Sequence, residues 1–100
     1  MKLYRKYKID MELRELSPKS IAGYENDLNQ WFIYIYDNQA NQCITELDED
    51  DLTEFFYYCK TEGNNSRRMK RRMSSISAFY KFLQKKRITQ NNPMMFIDRP

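Results

Sequence analysis

The stretch Ser66-Arg67-Arg68-Met69-Lys70-Arg71-Arg72-Met73-Ser74-Ser75-Ile76-Ser77-Ala78-Phe79-Tyr80-Lys81-Phe82-Leu83 carries two patterns at once. Five of the six residues from Arg67 to Arg72 are cationic, and an apolar stripe of helical period runs through and beyond them. With Met69 at zero on a wheel of about 100° per residue, Met73, Ile76, Phe79, Tyr80 and Leu83 fall within about 80° of it. The spacing predicts a long helix, capped by Ser66 and running to about Lys86, with this stripe against a core. Its other side holds Arg67, Lys70, Arg71, Ser74, Ser75, Ala78, Lys81 and Lys85, cationic at both ends and small in the middle. Such a face lets a polyanion backbone come close while its phosphates are neutralised. An ordinary solvated face would interleave acids and keep cations away from the positive end of the helix dipole, where each costs roughly 0.3–1 kcal/mol. This one does neither, so contact with DNA or RNA is the favoured reading.

Working back from that helix, Gly63 is placed to end a preceding helix in the left-handed conformation, and Asn64-Asn65 form the turn. That third helix starts at Asp48, an N-cap followed by Glu49, Asp50 and Asp51 at the positive end of the dipole. Capping explains these acids more simply than a metal site does. Its buried stripe is Leu52, Phe55, Phe56 and Cys59. Further back, Ser17-Pro18 is a hydroxyl cap followed by proline at the first helical position. The second helix carries Ile21, Tyr24, Leu28, Trp31, Phe32 and Ile35 at core spacing and fades near Asp37-Asn38. Lys19, Ser20, Gly23, Asn26 and Gln30 lie away from that stripe. Ser20 can equally be read as part of the cap, and Gly23 as close helix packing. A first helix spans Leu3 to about Leu16 on Leu3, Tyr4, Tyr7 and Met11. Past the long helix, Asn92-Pro93 permits one short helical turn from Met94 to Ile97.

No segment alternates with period two, so the chain is all-α, with four helices and a fragment of a fifth. One hundred residues allow one core. The domain is expected over residues 1–97, with Asp98-Arg99-Pro100 beginning a linker. The net charge of +3 hides segregation: residues 1–20 carry +3, residues 21–65 carry −9 and residues 66–100 carry +9. A bipolar molecule follows, with one face for an anionic partner, unless the acidic and basic helices simply pair.

The absence of His excludes Ser-His and Cys-His catalysis, and two glycines cannot build a phosphate loop. Cys43 and Cys59 form no metal set and read as reduced thiols. No cofactor, metal or small-molecule substrate is expected. No apolar run approaches the roughly 20 residues of a membrane span, so the chain reads as soluble, cytoplasmic and without a membrane partner.

Several stretches, in order, resemble the N-terminal core-binding domain of tyrosine recombinases, the SAM-like domain of phage integrases. Leu16-Ser17-Pro18-Lys19-Ser20-Ile21-Ala22-Gly23-Tyr24-Glu25-Asn26-Asp27-Leu28 is similar to the family's Leu-Ser-x-x-Thr-hydrophobic-x-x-Tyr-x-x-Asp-Leu. Leu47-Asp48-Glu49-Asp50-Asp51-Leu52 resembles its hydrophobic-Thr-x-x-Asp-Ile. The run from Arg71 to Leu83 resembles its Arg-Leu-Ser-Ala-hydrophobic-Arg-x-Phe-Tyr-x-Phe-Leu, and Asn92-Pro93 its Asn-Pro. Ser20 stands in place of the usual Thr and Ser77 where Arg is frequent.

The resemblance implies a four-helix SAM-like orthogonal bundle, bacterial or phage-encoded, that grips duplex DNA at a recombination half-site through its second and fourth helices. Cleavage and joining would belong to a separate catalytic domain, and other protomers would assemble on the DNA. Carried over to this sequence, the DNA-binding residues are Lys19, Ser20 and Tyr24 on the second helix and Arg67, Arg68, Lys70, Arg71, Arg72 and Ser75 on the fourth. The competing reading is a helical protein-interaction domain whose basic face binds an acidic partner.

Overall fold

The computed structural model describes residues 2–38 and 43–98. Arg99 and Pro100, in the expected linker, lie outside the described residues. Four helices follow one another: α1 (Lys2–Leu13), α2 (Pro18–Asn38), α3 (Glu49–Thr61) and α4 (Ser66–Lys85). No strand occurs among the described residues. A short 3-10 helix at Ile44–Glu46, which the sequence pattern did not announce, precedes α3. The Tyr80 hydroxyl fixes it to α4 by donating to the Ile44 carbonyl at 2.8 Å.

The helices start where their caps dictate. At α2 the Ser20 amide donates to Ser17 Oγ at 3.1 Å. At α3 Asp48 and Asp51 form a reciprocal capping box, each side chain accepting from the other's amide at 3.0 Å. The acidic run is thereby engaged in starting a helix. The α4 cap is Asn65, whose Oδ1 accepts from the Arg68 amide at 2.9 Å, and Ser66 is the first helical residue. The expected cap is displaced by one position because Asn and Ser serve equally well there.

Three helices end in the same double hydrogen bond around one left-handed residue. Gly63 supplies it after α3, with φ +90°. Glu15 and Arg87 supply it after α1 and α4, with φ 61° and 59°. In each, the next residue's amide reaches back to a carbonyl five residues earlier: Leu16 to Met11, Asn64 to Cys59 and Ile88 to Leu83. Leu16 and Ile88 also pack against the core. This explains why α1 stops at Leu13 rather than near Leu16. A side chain in the left-handed region costs roughly 1 kcal/mol, and a carboxylate at a helix C-terminus adds to that. Glu15→Gly is therefore expected to raise stability by about 1 kcal/mol, read as a higher melting temperature.

The core is organised around α4, ten of whose twenty residues are buried. Phe79 has ring neighbours from α1 (Tyr7, 5.3 Å) and α2 (Trp31, 6.4 Å; Phe32, 6.0 Å). Trp31 also packs on Tyr80 at 5.6 Å. From α3, Leu52, Phe55, Phe56 and Cys59 complete the cluster as their spacing predicts. Beyond α4 the chain turns at Pro93–Phe96, where the Met95 amide donates to the Asn92 carbonyl and the Ile97 amide to that of Met94. This is the short turn expected there, and it does not lengthen into a helix.

Candidate nucleic-acid interface

Because α1, α2 and α3 all pack on α4, its buried arc is wide and its exposed face is a strip. Arg67, Lys70, Arg71, Ser74, Lys81 and Lys85 are exposed along that strip, and Ala78 is half-buried. From Arg67 to Lys85 the strip runs about 27 Å along the helix. Two shallow grooves border it and meet at Tyr24. One, of about 250 Å³, is lined by Ser20, Gly23, Tyr24 and Asp27 of α2 and by Arg71, Ser74 and Ser75 of α4. The other, of about 280 Å³, has Lys81 and Lys85 on one wall and Arg14 on another. Arg14 is itself paired with Asp10 at 2.9 Å.

The expected site residues divide into two groups. Lys19, Ser20, Arg67, Arg68, Lys70 and Arg71 are exposed, and Tyr24 is half-buried where the grooves join. The Ser20 hydroxyl accepts a hydrogen bond from Ser17 Oγ at 3.0 Å, so it belongs to the α2 cap as well as to the groove. A methyl group at Gly23 would meet no atom within 4 Å, so close helix packing does not account for this glycine.

Arg72 and Ser75 lie elsewhere than expected. Arg72 is buried at 9% exposure, with its guanidinium donating to Cys59 Sγ at 3.9 Å and its Nε without a partner among the described residues. Burial pushes the Cys59 thiol pKa up, and Arg72 opposes the shift. Ser75 is 2% exposed. On a helix wheel Ser75 falls outside the apolar stripe, and α2 closes over it, whereas Arg72 falls inside the stripe, between Leu83 and Phe79, on the side that α3 covers. Ser77, where the resemblance leads one to expect Arg, is buried too.

Ser75 leads to a residue for which the sequence reading proposed no role. Its hydroxyl donates to Asp27 Oδ2 at 2.7 Å, and Arg71 Nε donates to the same oxygen at 3.3 Å. Asp27 is 2% exposed, a buried carboxylate joining α2 to α4 from beneath the groove. A signal was present: Asp27 directly precedes Leu28 and lies one helical turn before Trp31, at the edge of a strongly apolar stripe. An acid placed there requires a partner.

A small helical bundle with a cationic strip beside shallow grooves is the class that fold and surface define. The family model described as phage integrase, N-terminal SAM-like domain, matches residues 6–87, and the chain belongs to that family. It is similar to tyrosine recombinase XerD of Oceanobacillus iheyensis, 30% identical over 87 residues that cover 87% of this chain and 29% of the relative. XerC of Anoxybacillus flavithermus is 29% identical with the same coverage. XerD of Rickettsia bellii is 32% identical over 89 residues, covering 87% of this chain and 28% of the relative. The chain thus spans less than a third of the length of these recombinases. No solved structure matches it significantly. Among the described residues no helix is long and apolar enough to cross a membrane.

Proposed function

We propose that this chain is the DNA-gripping module of a tyrosine recombinase. Its α2 and α4 hold duplex DNA at a recombination site, within the cytoplasm and alongside other protomers. Cleavage and joining belong to a catalytic domain beyond the helical unit of residues 1–97, which residues 98–100 begin to connect. The observation that carries this reading is the strip on α4. Arg67, Arg68, Lys70, Lys81 and Lys85 are exposed and make no ion pair among the described residues, and Lys19 stands exposed at the α2 N-terminus. The backbone amides of that helix end also favour an anion. Arg72 and Ser75 serve this reading from behind, by setting α4 against its neighbours.

Titration of the chain with duplex DNA over a range of salt tests the proposal. Six cations, each neutralising one phosphate, give a slope of log affinity against log salt of about −5. A flat response, or no binding at low salt, overturns the DNA reading and leaves an acidic protein as the partner of the strip.

A further inference from the structure

Arg71 differs from its cationic neighbours. Of the cations on the strip, it is the one joined to a carboxylate among the described residues. A phosphate is held by net positive charge, and a carboxylate at 3.3 Å subtracts from it. Asp27 therefore does not improve Arg71 as a phosphate contact. What Asp27 does is fix direction. It lies on a long helix, is buried, and is itself held by Ser75 at 2.7 Å. It engages only the Nε–H of Arg71 among the described residues, so the four N–H bonds on the two terminal nitrogens stay available in one plane. The side chain remains 61% exposed. Small residues, Ser20, Gly23 and Ser74, surround it in the groove and leave room for a flat edge to approach.

We propose that Arg71 reads a base, presenting its guanidinium edge to the O6 and N7 acceptors of a guanine in the major groove, and that Asp27 is the residue that positions it. The inference rests on the DNA reading above and assigns to one side chain the sequence preference that phosphate contacts do not supply. A guanidinium held from behind by a buried acid loses little side-chain freedom on binding, and its planar fork matches those two acceptors. Arg67, Arg68, Lys70, Lys81 and Lys85 then supply affinity without discrimination.

The test is selection from a pool of duplexes with randomised positions, followed by binding measurements on the selected duplex and a scrambled one. The wild-type chain is expected to enrich a guanine at one position. Arg71→Ala, and Arg71→Lys, which keeps the charge, should each lose roughly 5- to 150-fold of that preference, with affinity for the scrambled duplex little changed. Asp27→Asn, checked by circular dichroism for retained helix, should also lose preference while binding the scrambled duplex more tightly, because a negative charge is gone. A residue serving only to clamp two helices would not give that opposite pair of effects. The proposal is overturned if the wild type binds without base preference. It is equally overturned if Arg71→Ala weakens all duplexes alike and lowers the salt slope by about 0.9, the mark of a phosphate contact. Failure of the wild type to bind any duplex instead removes the DNA reading itself.

Discussion

A chain carrying Arg67→Glu together with Arg68→Glu is expected to lose duplex affinity while becoming more stable. Counterion release from two phosphates is worth about 60-fold in affinity at 0.1 M salt, and the two new negative charges add repulsion. The salt slope should fall by about 1.8. Stability moves in the opposite direction because both arginines occupy the first turn of α4, at the positive end of its dipole. Asn65 already accepts from the Arg68 amide at 2.9 Å. A glutamate at that third helical position can return the bond to the Asn65 amide and close a capping box like the one at Asp48 and Asp51. Cap and dipole together are expected to add about 1–2 kcal/mol, visible as a higher melting temperature. Weaker binding with a lower melting temperature would mean that the arginines support the fold, and unchanged binding would remove them from the interface.

Phe79→Ala is expected to have the largest effect on stability. Phe79 is fully buried and its ring meets those of Tyr7, Trp31, Phe32 and Tyr80, so its loss opens a cavity where α1, α2 and α4 converge. Such truncations cost about 3–5 kcal/mol, a large part of the roughly 5–15 kcal/mol that holds a domain together. The melting temperature should fall by more than about 12 °C, or the chain should fail to fold. Phe96→Ala is the control: that ring is 75% exposed, and the change should stay within about 0.5 kcal/mol. Equal effects of the two substitutions would contradict the core described here.

Much of this arrangement is legible in the sequence, for identifiable reasons. The stripes of α2, α3 and α4 repeat often enough to mark their buried faces, and Asp48 and Gly63 are residue types whose chemistry sets a boundary. Legibility fails where a second element decides. Period alone says which side of α4 is apolar, but not that α2 approaches far enough to bury Ser75 as well; it does place Arg72 inside the apolar arc, where its charge argues against burial. The ends at Glu15 and Arg87 escape notice because neither residue is glycine, although the geometry is that of Gly63. Asp27 appears in the motif shared with the family, yet its role depends on two side chains 44 and 48 residues away, which no local pattern brings together.

The division of α4 into a wide buried arc and a narrow exposed strip bears on how freely such a domain can change its surface. Residues that hold the bundle together and the exposed cations share one helix but, apart from the Asp27 link, not one set of contacts among the described residues. Substitutions at positions 67, 70 and 81 can therefore accumulate with little effect on folding, so that, on the DNA-binding function proposed above, related chains would differ in how tightly they hold DNA while keeping an unaltered scaffold. Arg71 is the exception, because changing it also releases a buried carboxylate. A lineage that replaces Arg71 should be found to have changed position 27 as well.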